Sequence, residues 1–157
     1  MLRRTLLALA LIVSLAAPAH SAPSETDQKY TQDISSTLIE FQDAISAWGS
    51  IASDQPAKTT SPKYKSWKTK FAKSSNAVLT AITKLDSISA PMTFTKSDSL
   101  LHESMGNYRK GITQLKSAVD KNSSKAISSA NKTLASANKS FTSWQAAYLE
   151  DVKALNG

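Results

Sequence analysis

The stretch LHESMGNYRKGITQLKSAV, residues 101–119, decides the fold. Its large apolar residues are Leu101, Met105, Tyr108, Ile112, Leu115 and Val119, separated by alternating steps of four and three. That spacing lays one apolar stripe along a helix, and the stripe has to face other helices to leave water. Thr95 and Asp98 stand at capping-box spacing ahead of it, with Phe94 placed as a hydrophobic staple. The helix is expected over residues 96–120, with Gly106 and Gly111 inside it, each costing about 1 kcal/mol against alanine.

Three other stretches carry the same rhythm. Upstream, Ile34, Leu38, Phe41, Ile45 and Trp48 follow Tyr30, with Ser24 or Thr26 as cap and Glu25 and Asp27 near the positive end of the helix dipole. This predicts a helix over 26–51. Pro56 breaks the loop that follows. Ser61 then fits an N-cap and Pro62 the first helical position, opening a helix over 62–89. One of its core columns is Tyr64, Phe71, Val78 and Leu85. The other is Trp67, Ser74, Ala81 and Ile88, with Ser74 as a polar interruption whose hydroxyl is expected to bond back to its own helix. Pro91 disfavours helical geometry at Ala90 and so stops the helix.

Downstream, after a tight connection at residues 120–123, a helix is expected over 123–155. The letters themselves repeat there: SANKTL at 129–134 is followed seven residues on by SANKSF at 136–141. Its columns are Ile127, Leu134, Phe141, Tyr148 and Ala130, Ala137, Trp144. A strict period of seven predicts a left-handed supercoil. Short connections predict antiparallel neighbours. The expected fold is therefore all-α: an up-down-up-down antiparallel four-helix bundle with left-handed, heptad-type packing over residues 25–157. This topology puts Trp48, Tyr64 and Trp67 at one end and Tyr30, Leu101, Trp144 and Tyr148 at the other. Aromatic residues at seam spacing are read as core.

A cleaved signal peptide precedes the bundle. Arg3 and Arg4 form a positive start, and Leu6 to Ala17 is an apolar run of about a dozen residues, the length of a signal core and short for a membrane span. Ala17-Pro18-Ala19 supplies small residues for a signal peptidase, so residues 1–19 are read as the signal and 20–24 as a polar leader. The mature protein is then exported, to the periplasm or the extracellular space. The remaining chain suffices for one domain with a single core. With 41% hydrophobic and 20% charged residues its composition is that of a folded globular protein. Having no cysteine, it has no disulfide, thiolate metal site, cysteine nucleophile or covalently attached haem.

Catalytic chemistry finds no motif. His20 falls in the leader and His102 on the flank of the third helix's seam, with no His-x-x-x-His or Glu-x-x-His pair for a metal-bearing bundle. No enzyme, metal or cofactor is expected. A haem would draw on His102 and Met105, which lie one turn apart on one helix, whereas axial ligands approach from opposite sides.

Charge is the informative surface feature. The formal charge is +7, and loss of Arg3 and Arg4 with the leader leaves +5. Residues 25–54 carry Glu25, Asp27, Asp33, Glu40, Asp43 and Asp54 against Lys29 alone, whereas residues 55–85 carry lysines and no acid. Either the two helices neutralise each other along their shared flank, or a basic face is left for an anionic partner. Lys65, Lys68, Lys70, Lys73 and Lys84 are the candidate face. At 100° per residue Lys65 and Lys68 fall on one flank, and Lys70, Lys73 and Lys84 on the other and outer side.

An exported protein meets phosphate-rich envelope polymers, anionic lipid headgroups and other proteins rather than nucleic acid. The expected function is a non-enzymatic binding or interaction module of the cell envelope or extracellular space. The alternatives are a structural or chaperone-like envelope bundle, and a non-covalent haem protein that an absorbance spectrum would reveal.

Overall fold

The computed structural model describes residues 23–155. The signal peptide expected at residues 1–19 lies outside the described residues, as does most of the polar leader. Four helices, α1 (Glu25–Ser53), α2 (Pro62–Asp86), α3 (Thr95–Asp120) and α4 (Ser124–Leu155), make up the fold, with a 3-10 turn, Met92–Phe94, ahead of α3. Among the described residues there is no strand.

The first two helices start where side chains take up their free amides. Ser24 Oγ accepts from the Asp27 N–H (3.1 Å) and donates to Asp27 Oδ2 (2.6 Å). Ser61 Oγ accepts from the Tyr64 N–H (3.2 Å), with Pro62 at the first helical position. α1 runs two residues past the expected Ile51. α2 ends at Asp86, short of residue 89, with Ser87 as its C-cap and the Ser87 N–H donating to the Lys84 carbonyl (3.2 Å).

The capping box expected at Thr95 and Asp98 does not form. Thr95 is already helical, at φ −54° and ψ −38°, because the 3-10 turn leads straight into α3. Its hydroxyl donates back to Met92 O (2.9 Å), and Asp98 accepts from the Tyr30 hydroxyl (3.2 Å) instead. Phe94 is fully buried, with its ring against Tyr30 and Tyr148. Between α3 and α4, Asn122 takes the left-handed conformation (φ 48°). This lets the Ser123 N–H reach the Ala118 carbonyl (3.0 Å), while Ser123 Oγ caps α4 at the Ala126 N–H (3.3 Å).

Contacts place the helices relative to one another. Glu40, Trp48 and Ile51 of α1 meet Lys84, Ser75 and Trp67 of α2. Lys68, Asn76 and Asp86 of α2 meet Asp120, Lys116 and Arg109 of α3. Ser104, Tyr108 and Gln114 of α3 meet Ala137, Asn138 and Thr133 of α4. Every aromatic residue is buried, in two clusters. Tyr64, Trp67, Phe71 and Trp48 form one. The other runs from Tyr30 through Phe94, Tyr148, Trp144 and Phe141 to Phe41 and Tyr108. Burial raises the Tyr108 and Tyr148 phenols to about 12. It raises Tyr30 further, with the negative charge of Asp98 as the next cause.

The second core column of α2 drifts from its expected line. Ser74 is half-buried and donates to Phe71 O (3.0 Å), while the fully buried serine is Ser75. Ser75 donates to Phe71 O (2.7 Å) and accepts from Trp48 Nε1 (3.0 Å), so the polar break in the column holds a neighbouring indole. Ile82 is fully buried and Ile88 only half-buried. A helix of 3.6 residues per turn drifts about 20° per heptad against a period of seven, so successive members of the Trp67 column turn toward the flank while positions 75 and 82 face the core.

α3 and α4 pack the most closely, across Gly111, Ser104, Ala130 and Ala137, all buried. A β-carbon on Gly111 would lie 2.8 Å from Leu134 Cγ and 3.2 Å from Leu134 N, so glycine sets this approach. Gly106 is exposed, and a β-carbon there meets nothing within 4 Å. Gly106→Ala is therefore expected to stabilise the protein by about 0.5–1 kcal/mol. Gly111→Ala should lose that gain to overpacking and destabilise it by about 1–3 kcal/mol. Urea melts of the two variants check this; shifts of the same sign would refute the close approach.

Candidate anionic-partner surface

The lysines of α2 leave the core by geometry. Tyr64, Trp67, Phe71, Ser75, Val78, Ile82 and Leu85 turn inward, and Lys65, Lys70, Lys73 and Lys84 are exposed between them. Lys68, half-buried on the α3 flank, pairs with Asp120 (3.0 Å). Lys84, on the α1 flank, pairs with Glu40 (2.5 Å). Among the described residues Lys65, Lys70 and Lys73 have no carboxylate within ion-pair distance. Of the five candidates, two are thus tied to acids and three stand free.

Neutralisation of α2 by α1 comes down to Lys84 and Glu40 because of register. Ile51 lies beside Trp67 and Glu40 beside Lys84, so the basic first half of α2 faces the neutral stretch AISAWGSIAS, residues 44–53. The acids at the start of α1 lie at the far end of the molecule, where Tyr30 reaches Asp98.

Lysines from α3 and α4 join this end, and the reading of α2 alone missed them. The Tyr64 hydroxyl donates to Asn122 Oδ1 (2.7 Å), which sets the α3–α4 turn beside the start of α2. Lys121 and Lys125 are exposed on either side of that turn, and Lys116 donates to Asn76 Oδ1 on α2 (2.6 Å). Lys58 and Lys63 are exposed just ahead of α2 and at its start. The acids of this end are Asp54 and Asp120. Glu25, Asp27, Asp33, Asp98, Glu103, Glu150 and Asp151 gather in the opposite half. The signal available in sequence was the tight connection at 120–123, which has to lie level with the start of α2 if neighbouring helices reverse.

The other candidate chemistry is dispersed. His102 is exposed, with Nδ1 3.1 Å from the Asp98 carbonyl oxygen, whereas Met105 is fully buried one turn on. The two side chains point to different environments and do not form an axial pair. Among the described residues no group of three or more histidines and carboxylates is arranged to hold a metal ion. Leu79, Thr80, Thr83, Lys84 and Arg109 line a shallow, open trough between α2 and α3. Its two cations are occupied, Arg109 by Asp86 and Lys84 by Glu40. No described helix is long and apolar enough to cross a membrane. Compared with models of known families, with curated proteins and with solved structures, the chain matches none.

Proposed function

We propose that the chain is an exported, non-enzymatic binding module. In this reading its four helices form an up-down-up-down antiparallel bundle of left-handed, heptad-type packing. It contacts a phosphate-bearing envelope component, polymer or lipid headgroup, through the lysines of α2. The observation that carries this reading is the free state of Lys65, Lys70 and Lys73. Like charges near one another on a helix repel by a few tenths of a kcal/mol per pair and contribute nothing to the fold. An external anion would relieve that repulsion.

The mature protein should bind long-chain polyphosphate or anionic vesicles at low salt. Binding should weaken steeply as the Debye length falls from about 30 Å at 0.01 M to about 8 Å at 0.15 M ionic strength. Changing Lys70 and Lys73 to glutamine should weaken binding more than the same change at Lys132 and Lys139 on α4, with stability within about half a kcal/mol of wild type. Equal losses from both pairs would reduce the effect to net charge. A clear loss of stability in the α2 pair would return those lysines to a structural role.

Export rests on the residues ahead of α1. The mature chain should begin at His20 or Ala22, and N-terminal sequencing of the exported protein that returns Met1 would refute cleavage.

A further inference from the structure

The free lysines of α2 do not lie on one plane. At 100° per residue Lys65 falls on the flank of α2 marked by Lys68 and its α3 partner Asp120, Lys70 on the flank marked by Lys84 and its α1 partner Glu40, and Lys73 between them on the outer side. Lys121 and Lys125 continue the series onto the α3–α4 turn, which Tyr64 and Asn122 hold against the start of α2. The neighbouring acid Asp120 is taken up by Lys68. A rigid flat surface could touch one side of this curved array, whereas a flexible chain can follow it.

A membrane surface would also be expected to receive apolar side chains. The large exposed hydrophobic residues among those described are Ile39 and Met92. Met92 lies in the turn ahead of α3, at the acidic end, and Ile39 is beside Glu40 in the middle of α1. Every aromatic ring is inside. The basic end therefore offers positive charge with no apolar anchor, and the acidic opposite end is repelled by an anionic ligand, so a polyanion meets the molecule end-on.

We infer that the contact surface is the whole basic end, formed by the first half of α2 together with the α3–α4 turn, and that its ligand is a flexible phosphate-bearing polymer lying across Lys65, Lys70, Lys73, Lys121 and Lys125. This inference rests on the proposed anion-binding role of α2 and extends it to a second element and a single ligand class.

The test uses the full mature protein with two probes: long-chain inorganic polyphosphate, and vesicles of phosphatidylglycerol and phosphatidylcholine matched in phosphate. Three double variants are compared after circular dichroism shows native helix content: Lys70→Gln with Lys73→Gln, Lys121→Gln with Lys125→Gln, and, as a control in the acidic half, Lys139→Gln with Lys153→Gln. The first two should each weaken polyphosphate binding roughly thirtyfold at low salt. Each should also make the slope of log K against log salt shallower by about 1.4, the value for two cations released from a flexible polyanion. The control should change affinity less than about twofold. Vesicles should bind more weakly than polyphosphate. If the turn pair binds like wild type while the α2 pair is weakened, the two-element surface is overturned and the α2 reading stands. If neither pair differs from the control, both fail. Vesicle binding tighter than polymer binding would overturn the choice of ligand.

Discussion

Trp144→Ala is expected to lower the unfolding free energy by about 3–5 kcal/mol, the cost of deleting a large buried ring whose site only partly collapses. Trp144 has no solvent exposure. Its ring lies 4.9 Å from Phe141 and 5.5 Å from Tyr148, so it joins the middle of the core to the cluster around Phe94. It also has a weakness: the buried Nε1 has no acceptor among the described residues. A buried unpaired donor costs about 1–3 kcal/mol. Trp144→Phe removes that donor while keeping most of the ring, so it should cost much less than the alanine change. Denaturant melts of the pair distinguish the two terms. An alanine variant as stable as wild type would mean that the ring does not pack as described.

The second large effect is expected in the stretch from which the fold was read. Ile112 is fully buried and Leu115 is 2% exposed. Ile112→Ala and Leu115→Ala should each cost about 2–5 kcal/mol through lost transfer energy and the cavity left behind. Lys110 is exposed on the same helix, and Lys110→Ala should stay within about half a kcal/mol of neutral. Urea unfolding followed by circular dichroism measures all three. Equal losses from the inward and outward positions would show that the stripe through residues 101–119 does not face the core.

How far the letters carried depended on the distance between the groups involved. Ser74 and Ser75 illustrate a near miss: the period of seven is an idealisation of 3.6 residues per turn, and a drift of about 20° per heptad turns position 74 toward the flank while 75 faces the core. Thr95 and Asp98 had the right spacing for a cap, yet a 3-10 turn had already supplied the start of the helix. Asp98 was then drawn to Tyr30, which is remote in sequence. In both cases the helix was legible and its finer bonding was not.

The sequence by itself determined the four helices, the inward stripes of α1 and α3, and the starts at Ser24 and Ser61. Each of these follows from periodicity or from bonds between residues three or four apart, which a chain carries with it wherever it packs. The tertiary structure alone decided which charges meet. Register set the basic half of α2 against a neutral stretch of α1, leaving Lys65, Lys70 and Lys73 without a carboxylate partner among the described residues, and the Tyr64–Asn122 hydrogen bond set the α3–α4 turn beside the start of α2. It also decided that Gly111, rather than Gly106, is needed, because Leu134 passes within 2.8 Å of the missing β-carbon. Electrostatic and steric neighbours are fixed through space, and residues far apart along the chain become neighbours only when the helices dock.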